Sequence, residues 1–176
     1  MTPTEPARRQ CQPCTACCDG WLTASVNGVP VRPGQPCPHS TRAGCDIYAT
    51  RPEHPCKRFI CGWVRADSPL PDWMRPNECG AIVLLWFDWK GEKVINAIPV
   101  GAKIPDRTLD WLKAYAQQER RPLIFMEHVE SEGSYTAMRC FGFGPPAFRK
   151  KVQALRLQSE YAELIRMYAR QDAAGG

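Results

Sequence analysis

Four cysteines near the beginning of the chain have a spacing typical of metal ligands. They lie in the run Cys11-Gln-Pro-Cys14-Thr-Ala-Cys17-Cys18. Two residues between cysteines let the backbone curl around one ion or cluster, and this spacing occurs both in ferredoxins and in zinc knuckles. Neighbouring side chains of an extended backbone point in opposite directions. Cys17 and Cys18 are therefore expected to bind different metals.

Four more cysteines follow before residue 62, which brings the number of candidate ligands to eight. A tetrahedral zinc ion and a four-iron cluster each take four protein ligands, so eight thiolates suffice for two sites. Either Cys37 or Cys61 is expected to join the first three cysteines at one site, while the rest form the other. The candidate metal ligands are Cys11, Cys14, Cys17, Cys18, Cys37, Cys45, Cys56 and Cys61.

The ligand type bears on which metal is bound. An all-sulfur set, a ferredoxin-like triplet and the proline that follows Cys37 favour an iron–sulfur cluster. Zinc accepts the same thiolates and often occupies such sites. The cofactor expected from the sequence is thus an iron–sulfur cluster or zinc, with the iron–sulfur cluster favoured.

The use of cysteine also depends on the redox compartment. The first ten residues include two arginines but no apolar stretch follows them, whereas a secretory signal needs about 7–15 apolar residues there. The chain is therefore expected to be cytoplasmic, where disulfides are rare. A set of unrelated buried thiols is the alternative explanation, and eight cysteines within 51 consecutive residues make it the weaker one.

The cysteines belong to a longer pattern that includes Cys37-Pro38, Gly44-Cys45-Asp-Ile-Tyr48 and Cys56-Lys-Arg-Phe-Ile-Cys61. From Cys11 to about Trp63, the chain resembles the YkgJ-type CxxCxxCC family of zinc- or iron-chelating cysteine clusters. This resemblance implies a chelating role and leaves the metal open. The chain departs from the family pattern after Arg51-Pro52, because three residues rather than two precede the next cysteine.

Other candidate ligands are weaker. His39 and His54 could replace a sulfur, but the eight thiolates already provide all the ligands for two sites. Each histidine is therefore expected to lie at the surface or to contact a ligand from behind. Cys79 and Cys140 fall outside the compact pattern. Cys140 lies in a predicted strand and is expected to be a small buried hydrophobic residue.

The formal net charge of +5 counts every thiol as neutral. Two zinc ions on eight thiolates would bring it to +1, and one [4Fe–4S]²⁺ cluster on four thiolates to +3. The charge therefore gives little support to a nucleic-acid partner. Arg51, Lys57 and Arg58 lie between ligands and either offset thiolate charge or form a solvated face. A protein partner is expected, and no small-molecule substrate is indicated.

Composition divides the chain near residue 80. Residues 1–79 contain nine of the ten cysteines and twelve of the seventeen prolines. Prolines interrupt helices and central strands, so this segment needs metal staples to become ordered. The predicted organisation is an irregular cysteine-rich metal-stapled module at 1–79, packed as one unit on an α+β domain at 80–176. The longest apolar run is seven residues, against the roughly 20 that a membrane helix needs, so no membrane partner is expected.

The second part of the chain has the pattern of two hairpins, each followed by a helix. The order ββαββα predicts an antiparallel sheet covered by two helices, which is an α+β arrangement. The predicted strands cover 81–88, 93–100, 122–129 and 135–143, and the predicted helices 105–118 and 145–169.

Three functions are compatible with these features. The first is an iron–sulfur protein with a redox or partner-binding role, the second a structural zinc module of a protein-interaction protein, and the third a metal carrier. No glycine-rich phosphate loop, nucleophile elbow or HExxH motif is present. Catalytic residues are therefore not assigned, and enzymatic activity is left open.

Overall fold

The structure is a computed structural model that describes residues 9–154. It is a mixed α+β fold with two sheets, which confirms the α+β part of the predicted fold class. A small antiparallel sheet in the cysteine-rich segment consists of β1 (Ala24–Val26) and β2 (Val29–Val31). The larger sheet contains, in spatial order, β3 (Ala81–Trp89), β4 (Glu92–Pro99), β5 (Leu123–Ser131) and β6 (Ser134–Phe143).

Three helices accompany the larger sheet. α1 (Pro76–Cys79) is a single turn before β3, α2 (Asp106–Gln118) joins β4 to β5, and α3 (Pro146–Gln153) follows β6. Both α1 and α3 begin with proline, whose fixed φ suits the first turn of a helix. The helix predicted for 145–169 is observed as far as Gln153, and its remainder lies outside the described residues. Within 9–154, none of the helices has both the length and the hydropathy needed to cross a bilayer.

The centre of the larger sheet differs from the prediction. The two hairpins pair their strands antiparallel, but β4 and β5 run parallel, with Ile95 opposite Leu123. Between them, α2 carries the chain back to the end of the sheet where β4 began, which is what a parallel pairing requires. The prediction of a fully antiparallel sheet is therefore wrong, and the sheet is mixed.

Both hairpins of the larger sheet close through two residues with positive φ. These are Lys90 and Gly91 in the first hairpin, and Glu132 and Gly133 in the second. Two consecutive left-handed residues make a type I′ turn, whose twist matches that of antiparallel strands. The predicted turns at these positions are confirmed.

The main core lies between one face of the larger sheet and the cysteine-rich segment. It contains Ile82 and Ile95 of the sheet, Leu112 of α2, and Leu70 and Met74 from the proline-rich part of the chain. On the other face, Phe148 and Val152 of α3 pack on Val94 and Ile124. Adjacent residues of β4 and of β5 thus serve two layers, with Ile95 and Leu123 in the main core and Val94 and Ile124 on the other face. The cysteine-rich segment is built directly onto the sheet.

His128 of β5 is a buried polar contact between the two halves of the protein. Its side chain is 6% exposed, and its ring centroid lies 5.4 Å from that of Trp21 and 5.7 Å from that of Tyr135. Nε2 donates a hydrogen bond to the carbonyl oxygen of Pro99 at 3.2 Å. Burial lowers the pKa of His128 to about 4, although the hydrogen bond to Pro99 opposes this shift.

Lowering the pH from about 7 to 4 should destabilise the protein through His128 by up to about 3 kcal/mol. The unfolded chain takes up a proton at His128 near pH 6.5, whereas the native state resists it down to about 4. Urea unfolding measures the free energy of unfolding of the wild type and of His128→Gln at each pH. As the pH falls, this free energy should decrease more for the wild type than for the variant. A difference independent of pH would contradict this expectation.

Candidate metal centre

All eight predicted metal ligands line one cavity of about 680 Å³. They come from the turn at 11–18, the loop at 37–45 and the segment at 56–61. All ten cysteines lie in the described part of the chain, and all are free thiols. The structure thus brings together side chains that are up to 50 residues apart in sequence.

The first cysteine turn is fixed by a carboxylate. Asp19 accepts hydrogen bonds from Thr15 Oγ1 at 2.6 Å and from Ser40 Oγ at 2.9 Å. Ser40 belongs to the loop between Cys37 and Cys45, so Asp19 joins two ligand-bearing segments. The backbone of the first turn is closed by a further bond at 2.9 Å between the Cys14 amide and the preceding cysteine's carbonyl oxygen.

Gly20 allows a close backbone approach directly after Cys18. Its φ is +95°, and a Cβ at this position would lie 2.1 Å from the carbonyl oxygen of Arg32. Only glycine adopts this conformation at little cost and leaves that space empty. Beside it, the Cys37 amide donates to the carbonyl oxygen of Cys18 at 2.7 Å, which holds two candidate ligands together through the backbone.

Cys61 is held against the free edge of the larger sheet. The Gly62 amide donates to the carbonyl oxygen of Val83 in β3 at 2.6 Å, and a Cβ on Gly62 would lie 2.8 Å from that oxygen. The following residue, Trp63, is buried and its indole N–H donates to the Asp72 carbonyl oxygen at 3.1 Å. The position of this candidate ligand therefore depends on the α+β half of the chain.

The loop that carries Cys37 and Cys45 is closed by polar contacts. The Asp46 amide donates to the carbonyl oxygen of His39 at 3.1 Å, and His39 Nδ1 lies 3.1 Å from the Asp46 carboxylate. Gln12 Nε2 donates to the Cys45 carbonyl oxygen at 3.4 Å, which joins this loop to the first cysteine turn. His39 lines the cavity while paired with a carboxylate, and His54 is not among the lining residues.

Crowding makes these thiols difficult to ionise. Burial raises the pKa of Cys11 to about 11, with Cys14 and Cys61 contributing to the rise. Burial likewise raises the pKa of Cys18 to about 12, with neighbouring thiols adding to the effect. Thiolates in such a cluster require a cation that shares their charge.

Arg51 supplies positive charge inside the cavity. Its guanidinium carbon lies 3.9 Å from the centre of the Tyr48 ring, and Nη1 donates to the Tyr48 carbonyl oxygen at 2.5 Å. Burial raises the pKa of both Cys11 and Cys56, and Arg51 opposes this rise at each thiol. Lys57 also lines the cavity but lies 3.9 Å from the Glu53 carboxylate.

The arrangement limits what the site could bind in this conformation. Among residues 9–154, no group of three or more histidine, cysteine, aspartate or glutamate side chains could hold a metal ion. A tetrahedral zinc site needs sulfurs about 2.3 Å from one common point. The eight thiols share a cavity without converging on such points, so zinc would require the sulfurs to move together.

Two residues outside the predicted set lie behind the site. Cys79 is buried at the end of α1, and its thiol donates to the carbonyl oxygens of Met74 at 3.3 Å and Ala81 at 3.4 Å. Asn77 contacts the thiol of Cys14 through Oδ1 at 3.4 Å. Sequence reasoning missed Asn77 because nothing in the local pattern around α1 shows which loop it faces.

No protein-family model, curated protein or solved structure matches this chain. The resemblance to the cysteine-cluster family described above therefore stays a prediction.

Replacing Gly20 by alanine should damage the site far more than the same change at Gly34. Both glycines have positive φ, at +95° and +82°, but no heavy atom lies within 4 Å of a Cβ at Gly34. Gly34→Ala should lower the free energy of unfolding by about 1 kcal/mol from backbone strain alone. Gly20→Ala should lower the free energy of unfolding by roughly a further 1–3 kcal/mol, because the Arg32 backbone must shift to make room for the added methyl group. Urea unfolding measures both values, and equal losses would show that the approach to Arg32 is unimportant.

Proposed function

We propose that this chain is an iron–sulfur protein whose cysteine thiolates bind the iron. The observation that supports this most directly is that eight cysteines, from three separate segments, line a single cavity. A hydrophobic role alone does not explain this arrangement, because buried thiols that serve only as packing have no reason to share one cavity. Shared ligation of metal does explain it.

The choice of iron–sulfur over zinc follows from how each cofactor uses its ligands. Zinc draws four sulfurs to one point. In a four-iron cluster each thiolate binds a different iron, so the thiolates surround a multi-atom core instead. A cavity of about 680 Å³ with eight cysteines in its lining accords with the second arrangement.

The protein's own residues would hold and tune such a cluster. When bound, it would supply one-electron redox chemistry. Asp19 and the Gly62 backbone fix ligand-bearing segments, while Arg51 offsets negative charge near two thiols. Electron exchange requires a second protein, so a redox partner forms part of this proposal.

Protein purified without oxygen should be brown and absorb at about 400 nm, where thiolate-to-iron charge transfer falls. It should contain iron and acid-labile sulfide, and exposure to air should bleach it. Cys14→Ala should lower the iron content, because it removes one ligand from the first turn. A Cys140→Ala control should keep the wild-type content, since Cys140 does not line the cavity.

The alternative functions give different results in the same preparation. A colourless protein that contains zinc and loses its fold on chelation would indicate a structural zinc module. Transfer of metal to a chelator with the fold intact would indicate a carrier. Folded protein that contains neither iron nor zinc would refute metal binding altogether.

Replacing Arg51 by glutamine should lower the reduction potential of the bound cluster by tens of millivolts, on the order expected for one charge removed from a partly buried site. Reduction adds negative charge, which the guanidinium stabilises. Arg51→Lys keeps the positive charge, so its reduction potential should be close to that of the wild type. Redox titration under argon measures the shift, and an unchanged potential in Arg51→Gln would exclude this role.

A further inference from the structure

The eight thiols that line the cavity could serve one metal centre or two. The adjacent pair Cys17 and Cys18 decides between these arrangements, because their side chains enter different surroundings. Cys17 packs on the main core, beside residues of the larger sheet. Cys18 packs instead on a small separate core formed by Val26 and Val31 of the β1–β2 hairpin.

Packing divides other cysteines in the same way. The main core includes buried Cys61, with Cys14 as well as Cys17 packed against it. The hairpin core includes buried Cys37, with Cys56 as well as Cys18 packed against it. Cys18 therefore packs on a different core from Cys14 and Cys17, although all three come from the same short run of sequence.

Backbone contacts assign the remaining two thiols. The Cys14 amide donates to the carbonyl oxygen of Cys11 at 2.9 Å, so Cys11 lies in the same turn as Cys14. The Ser40 amide donates to the carbonyl oxygen of Cys37 at 3.0 Å, and Ser40 pairs with Cys45 in an isolated antiparallel bridge. Cys11 thus belongs with the thiols on the main core, and Cys45 with those on the hairpin core.

We propose that the eight thiolates form two separate metal centres, each with four sulfurs. One centre, the core group, contains Cys11, Cys14, Cys17 and Cys61, and the other, the hairpin group, contains Cys18, Cys37, Cys45 and Cys56. The proposal rests on the proposed function, since it describes how the metal of that function is divided. Four thiolates form the ligand set that a four-iron cluster takes.

The two centres differ in what they stabilise. The core group joins the first cysteine turn to β3 through the backbone of Gly62, so its loss should weaken the whole fold. The hairpin group joins the β1–β2 hairpin to the loop at 37–45, and its loss should leave the larger sheet intact. Variants of the hairpin group are therefore the informative ones.

The experiment compares metal content per chain in protein purified without oxygen. The variants are Cys37→Ala and Cys56→Ala from the hairpin group, Cys61→Ala from the core group, and Cys140→Ala as the matched control. Each hairpin-group variant should keep about half of the wild-type iron and sulfide, and the control all of it. The Cys37→Ala/Cys61→Ala double variant should keep none.

Circular dichroism establishes which variants are folded. If Cys61→Ala does not fold, the two hairpin-group variants carry the test. Folded hairpin-group variants that lose all their iron would overturn the two-centre proposal in favour of one shared centre, and full retention would overturn it too. Both results would leave the iron–sulfur assignment standing, whereas wild-type protein without iron would refute that assignment instead.

A second measurement distinguishes one centre from two without depending on stoichiometry. Two reduced clusters in one cavity should broaden each other's electron paramagnetic resonance spectrum through magnetic coupling. The spectrum of Cys56→Ala should lose this broadening, because its remaining cluster has no paramagnetic neighbour. An unbroadened wild-type spectrum at full reduction would contradict the proposal.

Discussion

A buried thiol ionises only where a cation shares its charge, and the first third of this chain places eight thiols around one cavity. Burial and mutual repulsion raise the pKa of several of them, to about 11 for Cys11 and about 12 for Cys18. The segment has many prolines and few residues in regular structure. Metal ligation would supply the fixed contacts that a larger hydrophobic core supplies elsewhere.

The α+β half acts as the frame on which this site is built. Gly62 pairs with the free edge of β3, which positions Cys61, and Trp21 contacts the buried ring of His128 in β5. Leu70 and Met74, from the irregular segment, share one core with the sheet. The boundary seen in composition near residue 80 is therefore not a boundary in packing.

Short polar contacts arrange the ligands relative to one another. Asp19 joins the first cysteine turn to the loop at 37–45, and Gln12 joins the same turn to the backbone of Cys45. Arg51 stacks on Tyr48 and acts on thiols of both groups. Asp19 and Gln12 each contact a segment distant in sequence, so they contribute to the shape of the cavity and not only to a local turn.

Features that depend on neighbouring residues could be predicted from the sequence. The cysteine spacing, the strands β3 to β6 and the left-handed turns at Lys90-Gly91 and Glu132-Gly133 follow from local preferences and periodicity. The eight candidate ligands could likewise be selected from their spacing and type. The parallel pairing of β4 and β5 was not predicted, since it depends on where α2 returns the chain.

Contacts between distant segments carry the proposed grouping of the cysteines. Spacing left Cys37 and Cys61 as equal candidates to join the first three cysteines. Packing places Cys61 beside Cys14 and Cys17 in the main core, because Gly62 can approach the β3 backbone closely enough to hydrogen-bond with Val83. The grouping is a property of contacts between distant segments, which no pattern within one segment contains.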